Sequence, residues 1–377
     1  MALTGEADGP TRQAPASVTG RLDLAAELLA RHGGPRLDGP ALLGERAVNA
    51  GFTRGGDVSV GGQARLLHAA DGPVCLNLPR ADDLAALPAW LEADFDPSDW
   101  AAVTREVGRR SGLELATRAD LLGLPVGVPG TAENLFPVSL VSGGVSDPQS
   151  GAPLVVELGS LWAAPLSASL LQEAGCRVVK VESVQRPDGA RRGPRPFFDL
   201  LNAGKEAVAV DPYSSDGRQL IRRLVERADV VIEASRPRAL EQWGLDMSSA
   251  VDDGTVWVSI TGYGRKGRRS GGVAFGDDAA VSGGLVLCEP LGFVGDAVAD
   301  PATGLVAAVL ALAALSSRAG WLVDVSLAGV AAWLAENPQI PKHPHGVSVE
   351  PPKARTAAGP AAELGADTAM VVASLGL

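Results

Sequence analysis

Short apolar runs alternate with amphipathic stretches through the second half of the chain. The runs lie at residues 154–158 (LVVEL), 177–182 (RVVKVE), 207–211 (AVAVD), 229–234 (DVVIEA), 255–260 (TVWVSI) and 321–327 (WLVDVSL). Runs of this length between polar or glycine residues predict buried strands. Residues with helical spacing lie between them, at 163–174 and 216–227. Strands that alternate with helices predict an open, Rossmann-like parallel sheet covered on both faces, and therefore an α/β fold.

The first 150 residues have a different pattern, which predicts a smaller α+β domain. An Asp71-Gly72 turn between two apolar runs predicts a hairpin. Helical patterns occur at 21–31, 88–94 and 100–107, and the stretch at 141–153 is rich in Gly, Ser and Pro. We interpret that stretch as a linker. The expected division is a small domain at 1–145 and a Rossmann-like domain at 150–377, the latter closed by a short helix at 366–375.

Length and composition agree with two globular domains and narrow the function. The chain has 377 residues and a net charge of −11. Nucleic acid is therefore not an expected partner, because a phosphate backbone requires a basic surface. The longest apolar run, 305–315, is too short to span a bilayer, so no membrane is expected. The three cysteines are far apart and in apolar surroundings, which suggests buried free thiols in the cytoplasm.

Several common catalytic motifs are missing from the sequence. The turn after the first strand of the parallel sheet begins at Gly159 and lacks GxGxxG, and no GxxxxGK[ST] occurs. The histidines form no HExxH motif, and GxSxG is absent. His343 and His345 lie in a Pro-rich tail, where we expect solvated side chains. Nicotinamide chemistry, nucleotide hydrolysis, metal-dependent hydrolysis and serine hydrolysis therefore lose most of their support.

An ordered series of segments from residue 154 onward resembles the family III CoA-transferases (the formyl-CoA transferase, carnitine CoA-transferase and α-methylacyl-CoA racemase group). These segments are VVELGSLWAAPLSASLLQEAGCRVVKVES, RPDGARRGP, LNAGKEAVAVD, ADVVIEASRPRALEQWGL, VWVSITGYGRKG, VADPATGLVAAVLALAAL and VDVSLAG. The last 28 residues resemble the closing segment of that family. The resemblance implies an enzyme that uses acyl-CoA as a substrate and holds no permanent cofactor.

The first part of the chain resembles the same family out of its usual order. TRGGDVSVGGQA is similar to the glycine-rich loop of the family's small domain, and DGPVCLNL and RADLLGLPVGVP are similar to later strands of that domain. In the usual arrangement the small domain is inserted after the Rossmann-like fold begins. Here it comes first, so the chain has a rearranged domain order.

The resemblance identifies Asp300 as the catalytic residue, because it stands in the pattern V-A-D-x-x-T-G-L. Asp-Pro before an apolar helix also fits a helix N-cap followed by proline, and the two roles are compatible. The implied mechanism is covalent. Asp300 attacks the donor thioester to form an anhydride, CoA thiolate converts this to an aspartyl-CoA thioester, and a carboxylic acid then accepts CoA.

The resemblance also implies residues that bind CoA and cover the site. Gly61, Gly62 and Gln63 are the expected cover and oxyanion donors, although an ordinary hairpin loop explains them equally well. Basic residues at or after the carboxyl ends of strands suit the phosphates of CoA. The expected CoA contacts are Leu161, Trp162, Lys180, Arg186, Arg192, Asn202, Gly204, Lys205, Ser235, Arg236, Arg238, Gly262 and Tyr263, with Arg191 nearby. Taken singly, each charge fits a solvated surface, Leu161 and Trp162 fit a core, and residues 265–269 fit a solvated loop.

Two other functions stay open at this stage. One is a 2-methylacyl-CoA racemase, although the matching stretch VAFGDDAAVSGG (273–284) holds Asp277 and Asp278 and no histidine. The other is a non-catalytic acyl-CoA-binding protein, which the rearranged order makes credible. The resemblance further implies a homodimer whose subunits intertwine. The acyl group and the acceptor acid do not follow from the sequence.

Overall fold

The computed structural model describes residues 2–132, 138–145, 151–235, 237–336 and 349–377. The strands are β1 (Ala64–Ala69), β2 (Gly72–Asn77), β3 (Val126–Gly127), β4 (Val138–Val145), β5 (Leu154–Leu158), β6 (Arg177–Ser183), β7 (Glu206–Val210), β8 (Val230–Glu233), β9 (Val256–Thr261), β10 (Val286–Cys288), β11 (Leu291–Phe293) and β12 (Ala319–Ser326).

Helices surround and connect these strands. They are α1 (Ala16–Arg31), α2 (Glu45–Ala50), α3 (Ala81–Ala85), α4 (Leu87–Leu91), α5 (Trp100–Val107), α6 (Gly112–Leu122), α7 (Ala163–Glu173), α8 (Arg195–Asn202), α9 (Ser215–Glu226), α10 (Pro237–Trp243), α11 (Met247–Asp252), α12 (Gly276–Ser282), α13 (Ala299–Ser317), α14 (Leu327–Ala335) and α15 (Thr368–Leu375). Short 3-10 helices occupy Pro40–Gly44 and Gly189–Arg192.

The large sheet has the order β4-β12-β9-β8-β5-β6-β7. All neighbouring pairs are parallel except β12 with β4, which is antiparallel. The predicted α/β class is therefore confirmed. The chain passes from β5 to β6 on one side and returns to β8 on the other, so the topological switch point lies between β5 and β8. Open parallel sheets bind ligands outside the carboxyl ends of strands at such a point.

Helices cover both faces of this sheet, as the continuous apolar strands require. On one face, Val155 and Ile232 belong to a core with α1, α7, α13 and α14. On the other, Val156 and Trp257 pack with residues of α9, α10 and α15. Successive residues of a strand point to opposite faces, so each strand contributes to both cores.

A second, three-stranded antiparallel sheet forms from β1, β2 and β3. The hairpin turns at Asp71-Gly72 as predicted, with Ala69 opposite Gly72. Helices α4, α5 and α6 bury one face of this sheet around Trp90, whose indole Nε1 donates to the Leu115 carbonyl at 2.9 Å. This core supplies the α+β character expected of the first part of the chain.

Elements from both parts of the sequence cross the predicted boundary near residue 145. Helix α1 packs against α13, and β4 pairs with β12. Conversely, α12 from the later part of the sequence packs against β2 and β3 of the earlier part. A Cβ atom at Gly127 would lie 2.1 Å from the Asp278 carbonyl oxygen, so the two backbones touch there. The division at 145–150 stays a prediction.

The predicted linker at 141–153 is wrong for residues 141–145, which belong to β4. We interpreted Gly143 and Gly144 as turn residues. They instead allow a close approach, because a Cβ atom at Gly144 would lie 1.9 Å from the Asp252 carbonyl oxygen. Residues 146–150 lie outside the described part of the chain.

Helix α13 contains the longest apolar run, which we expected not to span a membrane. Helix α13 is long and apolar enough to cross a bilayer by length and composition, but most of it is buried against α1, α7 and β12. That pattern is typical of a core helix.

Cys75 and Cys176 are buried free thiols as expected, whereas Cys288 in the short β10 hairpin is exposed, so the expectation was wrong there.

Candidate active site at the start of helix α13

Asp300 lies in the first turn of α13, immediately before Pro301. The N-cap is Val298, so the expectation that Asp300 itself caps the helix was wrong. Proline is tolerated in a first turn, because the N–H groups there have no partner within the helix. Asp300 therefore sits at the helix end where positive potential favours a carboxylate.

Gly276 leaves the space that the Asp300 carboxylate occupies. The Gly276 backbone N–H donates a hydrogen bond to Asp300. A Cβ atom at position 276 would lie 2.6 Å from Asp300 Oδ2 and 2.5 Å from the Ala297 carbonyl oxygen. Only glycine fits without displacing one of these groups.

Arg46 brings a positive charge to the same place from a distant part of the sequence. Its guanidinium binds both oxygens of Asp296, with Nε 3.0 Å from Oδ2 and Nη2 against Oδ1. The Asp296 side chain is fully buried, and that of Arg46 is 25% exposed. The Arg46 guanidinium also lies 5.3 Å from the centre of the Trp162 ring. Bidentate pairing and the ring fix the orientation of this cation.

Two carboxyl groups of the site titrate near neutral pH. Burial raises the pKa of Asp300 to about 7, with Arg46 opposing the rise and Asp277 adding to it. Burial likewise raises the pKa of Asp277 to about 6, again against Arg46. Asp277 Oδ1 accepts from the Ala297 N–H at 3.0 Å. Because the Asp277 charge raises the pKa of Asp300, the ionisation of the two carboxyls is linked.

Asp278 faces away from this pair, toward the small sheet. Its Oδ1 accepts from Asn77 Nδ2 at 2.9 Å and from the Phe275 N–H at 3.0 Å. Burial raises its pKa to about 7. This carboxyl therefore joins α12 to β2 and does not contact Asp300.

The glycine loop lies beside Arg46, as a cover over the site requires. A Cβ atom at Gly61 would lie 3.0 Å from Arg46 Nη2. Gly62 has a φ of +76°, and its N–H donates to the Ser59 carbonyl at 2.8 Å. The Gln63 side chain is exposed. Their roles as cover and oxyanion donors remain predictions.

Leu161, Trp162 and Ser235 lie at the switch point between β5 and β8. Leu161 has a φ of +70° and is 40% exposed, whereas Trp162 is buried. The Ser235 N–H donates to Glu233 Oε2 at 2.7 Å. Arg236 and the Arg238 side chain lie outside the described residues.

Two of the predicted CoA-binding arginines are exposed after β6. Arg186 and Arg192 follow β6 and expose their side chains. Arg191 is instead engaged, with both Nε and Nη2 on the Glu182 carboxylate and its guanidinium 4.6 Å from the Phe198 ring centre. That Arg186 and Arg192 bind CoA stays a prediction.

Lys180 and Lys205 are buried and share one carboxylate. Their Nζ atoms lie 2.7 Å from Oε1 and Oε2 of Glu157, respectively. The expectation that they lie at or after the carboxyl ends of strands was wrong. Lys180 lies within β6, and Lys205 precedes β7. Lys180 also contacts Asp188 at 3.0 Å, so these ammonium groups bind protein and not solvent.

The other residues predicted to contact CoA make contacts within the protein. Asn202 is buried and donates to the Phe198 carbonyl, while Gly204 turns with a φ of +82°. A Cβ atom at Gly262 would lie 2.8 Å from the Ala274 side chain. Tyr263 is buried, and the Arg269 guanidinium stacks 3.7 Å from its ring centre.

We expected the basic loop at 265–269 to be solvated, and for two of its arginines this expectation was wrong. Arg269 is buried, and its Nε and Nη2 each lie 2.9 Å from the Asp120 carboxylate. Arg265 Nη1 donates to Ser259 Oγ at 3.1 Å. The loop is therefore attached to α6 and to the sheet by its arginines.

Sequence reasoning missed Arg46, Asp296 and Gly276. Arg46 stands in a short helix with no motif around it, so no signal pointed to it. Asp296 lies four residues before Asp300, and Gly276 directly precedes Asp277. An acidic residue and a glycine that flank recognised positions are weak signals, but they were available.

No cluster of three or more His, Cys, Asp or Glu residues within the described ranges could hold a metal ion. The carboxylates near Asp300 are instead balanced by Arg46. That the protein needs no permanent cofactor stays a prediction.

The sequence matches the model of a known protein family. The model of CoA-transferase family III matches residues 153–363, more than half of the chain. Succinyl-CoA–D-citramalate CoA-transferase of Chloroflexus aurantiacus is 31% identical over 140 residues, 35% of each chain. Succinate–glutarate CoA-transferase of Agrobacterium fabrum is 33% identical over 128 residues, 30% of this chain and 32% of the relative. The chain thus spans about a third of the length of these curated relatives.

A solved structure of a CAIB/BAIF family protein from Brucella suis is 30% identical, with a TM-score of 0.47. The match covers 50% of this chain and 55% of that one. The family match includes the large parallel sheet from β5 onward, α12 and Asp300. On that match, the chain belongs to CoA-transferase family III.

Proposed function

We propose that this protein transfers CoA from an acyl-CoA donor to a carboxylic acid, with Asp300 as the covalent nucleophile. The observation that carries the proposal is the placement of Asp300 within the family match. It lies in the first turn of α13, held by the Gly276 N–H and beside Arg46. A weak nucleophile becomes useful when it is ionised, oriented and shielded from water.

The reaction proceeds by exchange at carbonyl carbons. An Asp300 oxygen forms a C–O bond to the donor acyl carbon, the C–S bond breaks, and CoA thiolate leaves. The thiolate then attacks the Asp300 carbonyl carbon of this anhydride and releases the donor acid, which leaves an aspartyl-CoA thioester. The glycine loop supplies the Gly61 N–H for the developing oxyanions, whereas the Gly62 N–H already donates to the Ser59 carbonyl.

We assign the phosphates of CoA to the exposed arginines after β6. Arg186 and Arg192 are exposed after β6. A Cβ atom at Gly189 would lie 3.3 Å from Leu161 Cδ2 and 3.9 Å from Arg192 Nη2, which brings Arg192 close to the turn after β5. Lys180 and Lys205 act indirectly, because Glu157 holds both ammonium groups in the interior. Lys180 also donates to the Gly159 carbonyl at 3.0 Å and so fixes the turn that leads to Trp162.

Isotope exchange tests the proposal without an acceptor acid. The purified protein is mixed with labelled free CoA and a panel of unlabelled acyl-CoAs that includes succinyl-CoA and glutaryl-CoA. Label that enters the acyl-CoA pool reports reversible acylation of the enzyme. Transfer is then measured to succinate, glutarate, L-malate and D-citramalate, the acids that the names of the relatives suggest. Absence of exchange across the panel, despite CoA binding, would contradict the proposal.

Exchange should increase with pH through about pH 7. The pKa of Asp300 is raised to about 7, and only its ionised form attacks. We therefore expect kcat/KM for exchange to rise between pH 5.5 and 8.5, with an apparent midpoint that belongs to the Asp277–Asp300 pair. A profile that is flat over this range would show that ionisation of Asp300 does not limit the reaction.

Stability should change with pH in the opposite direction. The folded pKa of Asp300 lies above the value of about 4 in an unfolded chain, so the folded state holds its proton longer. This contribution to the free energy of unfolding is complete below pH 4 and is lost as the pH rises to 7. Replacement of Asp300 by asparagine should flatten that part of the stability profile.

Gly276→Ala should reduce both exchange and stability. The new methyl group would meet Asp300 Oδ2 and the Ala297 carbonyl oxygen at about 2.6 and 2.5 Å, so the carboxylate must move. We expect exchange to fall at least about tenfold and unfolding to become easier by about 1–3 kcal/mol. Gly271→Ala is the matched control, because no heavy atom lies within 4 Å of its Cβ position. Equal effects of the two changes would remove the proposed role of Gly276.

A second candidate is exchange of the α-proton of a 2-methylacyl-CoA. The observation that favours it is the Asp277–Asp300 pair, whose pKa values near 6 and 7 suit an acid and a base. Deuterium entering the α-position from heavy water, with no label from free CoA, would support this racemase function. Tight acyl-CoA binding with neither exchange would support a non-catalytic binding protein.

We also propose that the protein is a homodimer with intertwined subunits and that the small domain precedes the Rossmann-like one. Both follow from the family resemblance. Light scattering of the purified protein measures its mass directly, and a monomer across the micromolar range would contradict the dimer.

A further inference from the structure

Within the described part of the chain, one nitrogen of the Arg46 guanidinium has no hydrogen-bond partner. Nε and Nη2 bind Asp296. Among the residues that the structure describes, no hydrogen-bond acceptor lies on Nη1. The Arg46 side chain is 25% exposed, so it is not sealed from solvent. A guanidinium held by two of its nitrogens presents the third in a fixed direction.

A second donor without a partner belongs to the ring that the Arg46 guanidinium faces. The indole Nε1 of Trp162 is buried and has no hydrogen-bond partner. The Trp162 side chain is 2% exposed, and its ring centre is 5.3 Å from the Arg46 guanidinium carbon. A buried N–H without an acceptor is costly, and an acceptor oxygen brought by a ligand would remove that cost. One unfilled donor on each of these two facing groups suits an anion with two oxygens.

The charge of the site changes during the reaction. Asp277, Asp296 and Asp300 all interact with Arg46 in the free protein. Once Asp300 carries an acyl or CoA group, its negative charge is gone, while Asp296 remains paired. Arg46 then has room for another anion. A free carboxylic acid near three carboxylates would otherwise be repelled.

From this geometry we propose that Arg46 binds the carboxylate of the acceptor acid, with Trp162 Nε1 as a second donor, after Asp300 has become the CoA thioester. The inference rests on the proposed transferase function and adds the residue that selects a carboxylate. An acceptor oxygen attacks the Asp300 thioester carbon, the C–O bond forms, the C–S bond breaks and CoA thiolate leaves. The thiolate then attacks the acceptor acyl carbon of this anhydride and frees the Asp300 carboxylate.

The binding order has a kinetic consequence. Because the acid binds well only after Asp300 has lost its charge, initial rates should follow ping-pong kinetics in donor and acceptor. Free acid should not compete with the donor at concentrations near its own KM.

Arg46→Met and Arg46→Lys test the residue directly, with the best acid of the transfer panel as the probe. Arg31→Met is the control, because Arg31 lies on the surface of α1 and pairs with Glu27. We expect Arg46→Met to raise the KM for the acid about tenfold to a hundredfold, and Arg46→Lys to lie between it and the unaltered protein. Arg31→Met should change neither KM.

CoA exchange in the same variants separates acceptor binding from other roles of Arg46. Loss of this cation raises the pKa of Asp300 further, so exchange should slow at pH 7 and recover by pH 9. The acceptor KM should stay high at both pH values. An acceptor KM within twofold of normal, or equal losses in exchange and transfer at pH 9, would overturn the inference. Failure of the transferase proposal itself looks different, because the unaltered protein would then show no exchange.

Discussion

Replacing Asp300 by asparagine should abolish CoA exchange. The substitution keeps the shape of the side chain and removes the attacking oxygen anion, so we expect a loss of at least about a thousandfold in kcat/KM for the donor. The protein should stay folded, since a carboxyl whose pKa is raised to about 7 gains nothing in stability from its charge. Label exchange at pH 8, where the unaltered Asp300 is mostly ionised, gives the clearest comparison.

Asp216→Asn is a matched control for this experiment. Asp216 also lies in the first turn of a helix, α9, but its side chain is exposed and far from the site in the sequence. It should leave exchange unchanged. Exchange that survives in Asp300→Asn to within about tenfold would show that another group attacks the thioester.

Replacing Glu157 by glutamine should cause the largest loss of stability. Glu157 is fully buried and receives both the Lys180 and the Lys205 ammonium groups at 2.7 Å. Removing one partner of a buried ion pair leaves uncompensated charge in the interior, and this costs about 3–5 kcal/mol. We expect a loss of that size in the free energy of unfolding at pH 7, measured by urea denaturation.

The pH dependence of this variant identifies the cause. Burial lowers the pKa of Lys205 to about 8 even with Glu157 present, and the loss of Glu157 should lower it further. An unfolded lysine keeps its proton to about pH 10, so the stability of the variant should rise between pH 7 and 10. Glu336→Gln is the control. Its exposed carboxylate pairs with Arg21 on the surface, and no measurable change is expected. A small, pH-independent effect of Glu157→Gln would contradict this account.

The fold followed from the sequence wherever the hydrophobic pattern was local. Strand β5 was expected at 154–158 and lies there, and the Asp71-Gly72 hairpin turns where the sequence indicated. Continuous apolar runs and turn residues act over a few neighbours, so a window of sequence contains the information. The error at β4 has the same origin. Glycine marks turns and close backbone approaches alike, and only the position of α11 shows which one applies at Gly143 and Gly144.

The residues of the candidate site also differ in whether the sequence predicted them. The family motif pointed to Asp300, and the structure places it in a helix first turn with a carboxyl that titrates near neutral pH. The sequence did not point to Arg46, which is 250 residues from its partner Asp296. Nor did it show that Lys180 and Lys205 point inward, because a lysine in an apolar strand looks the same whether a buried carboxylate faces it or not.

The sequence by itself determined the α/β architecture, the family and the nucleophile that we propose, since these depend on local periodicity and on a contiguous motif. Only the tertiary structure decided which charges meet. In the structure, Glu157 pairs with both Lys180 and Lys205. Arg186 and Arg192 are exposed. Arg46 lies between Asp296 and the glycine loop. Side-chain pairing between distant segments depends on how helices and strands pack, and one chain's local pattern does not encode it.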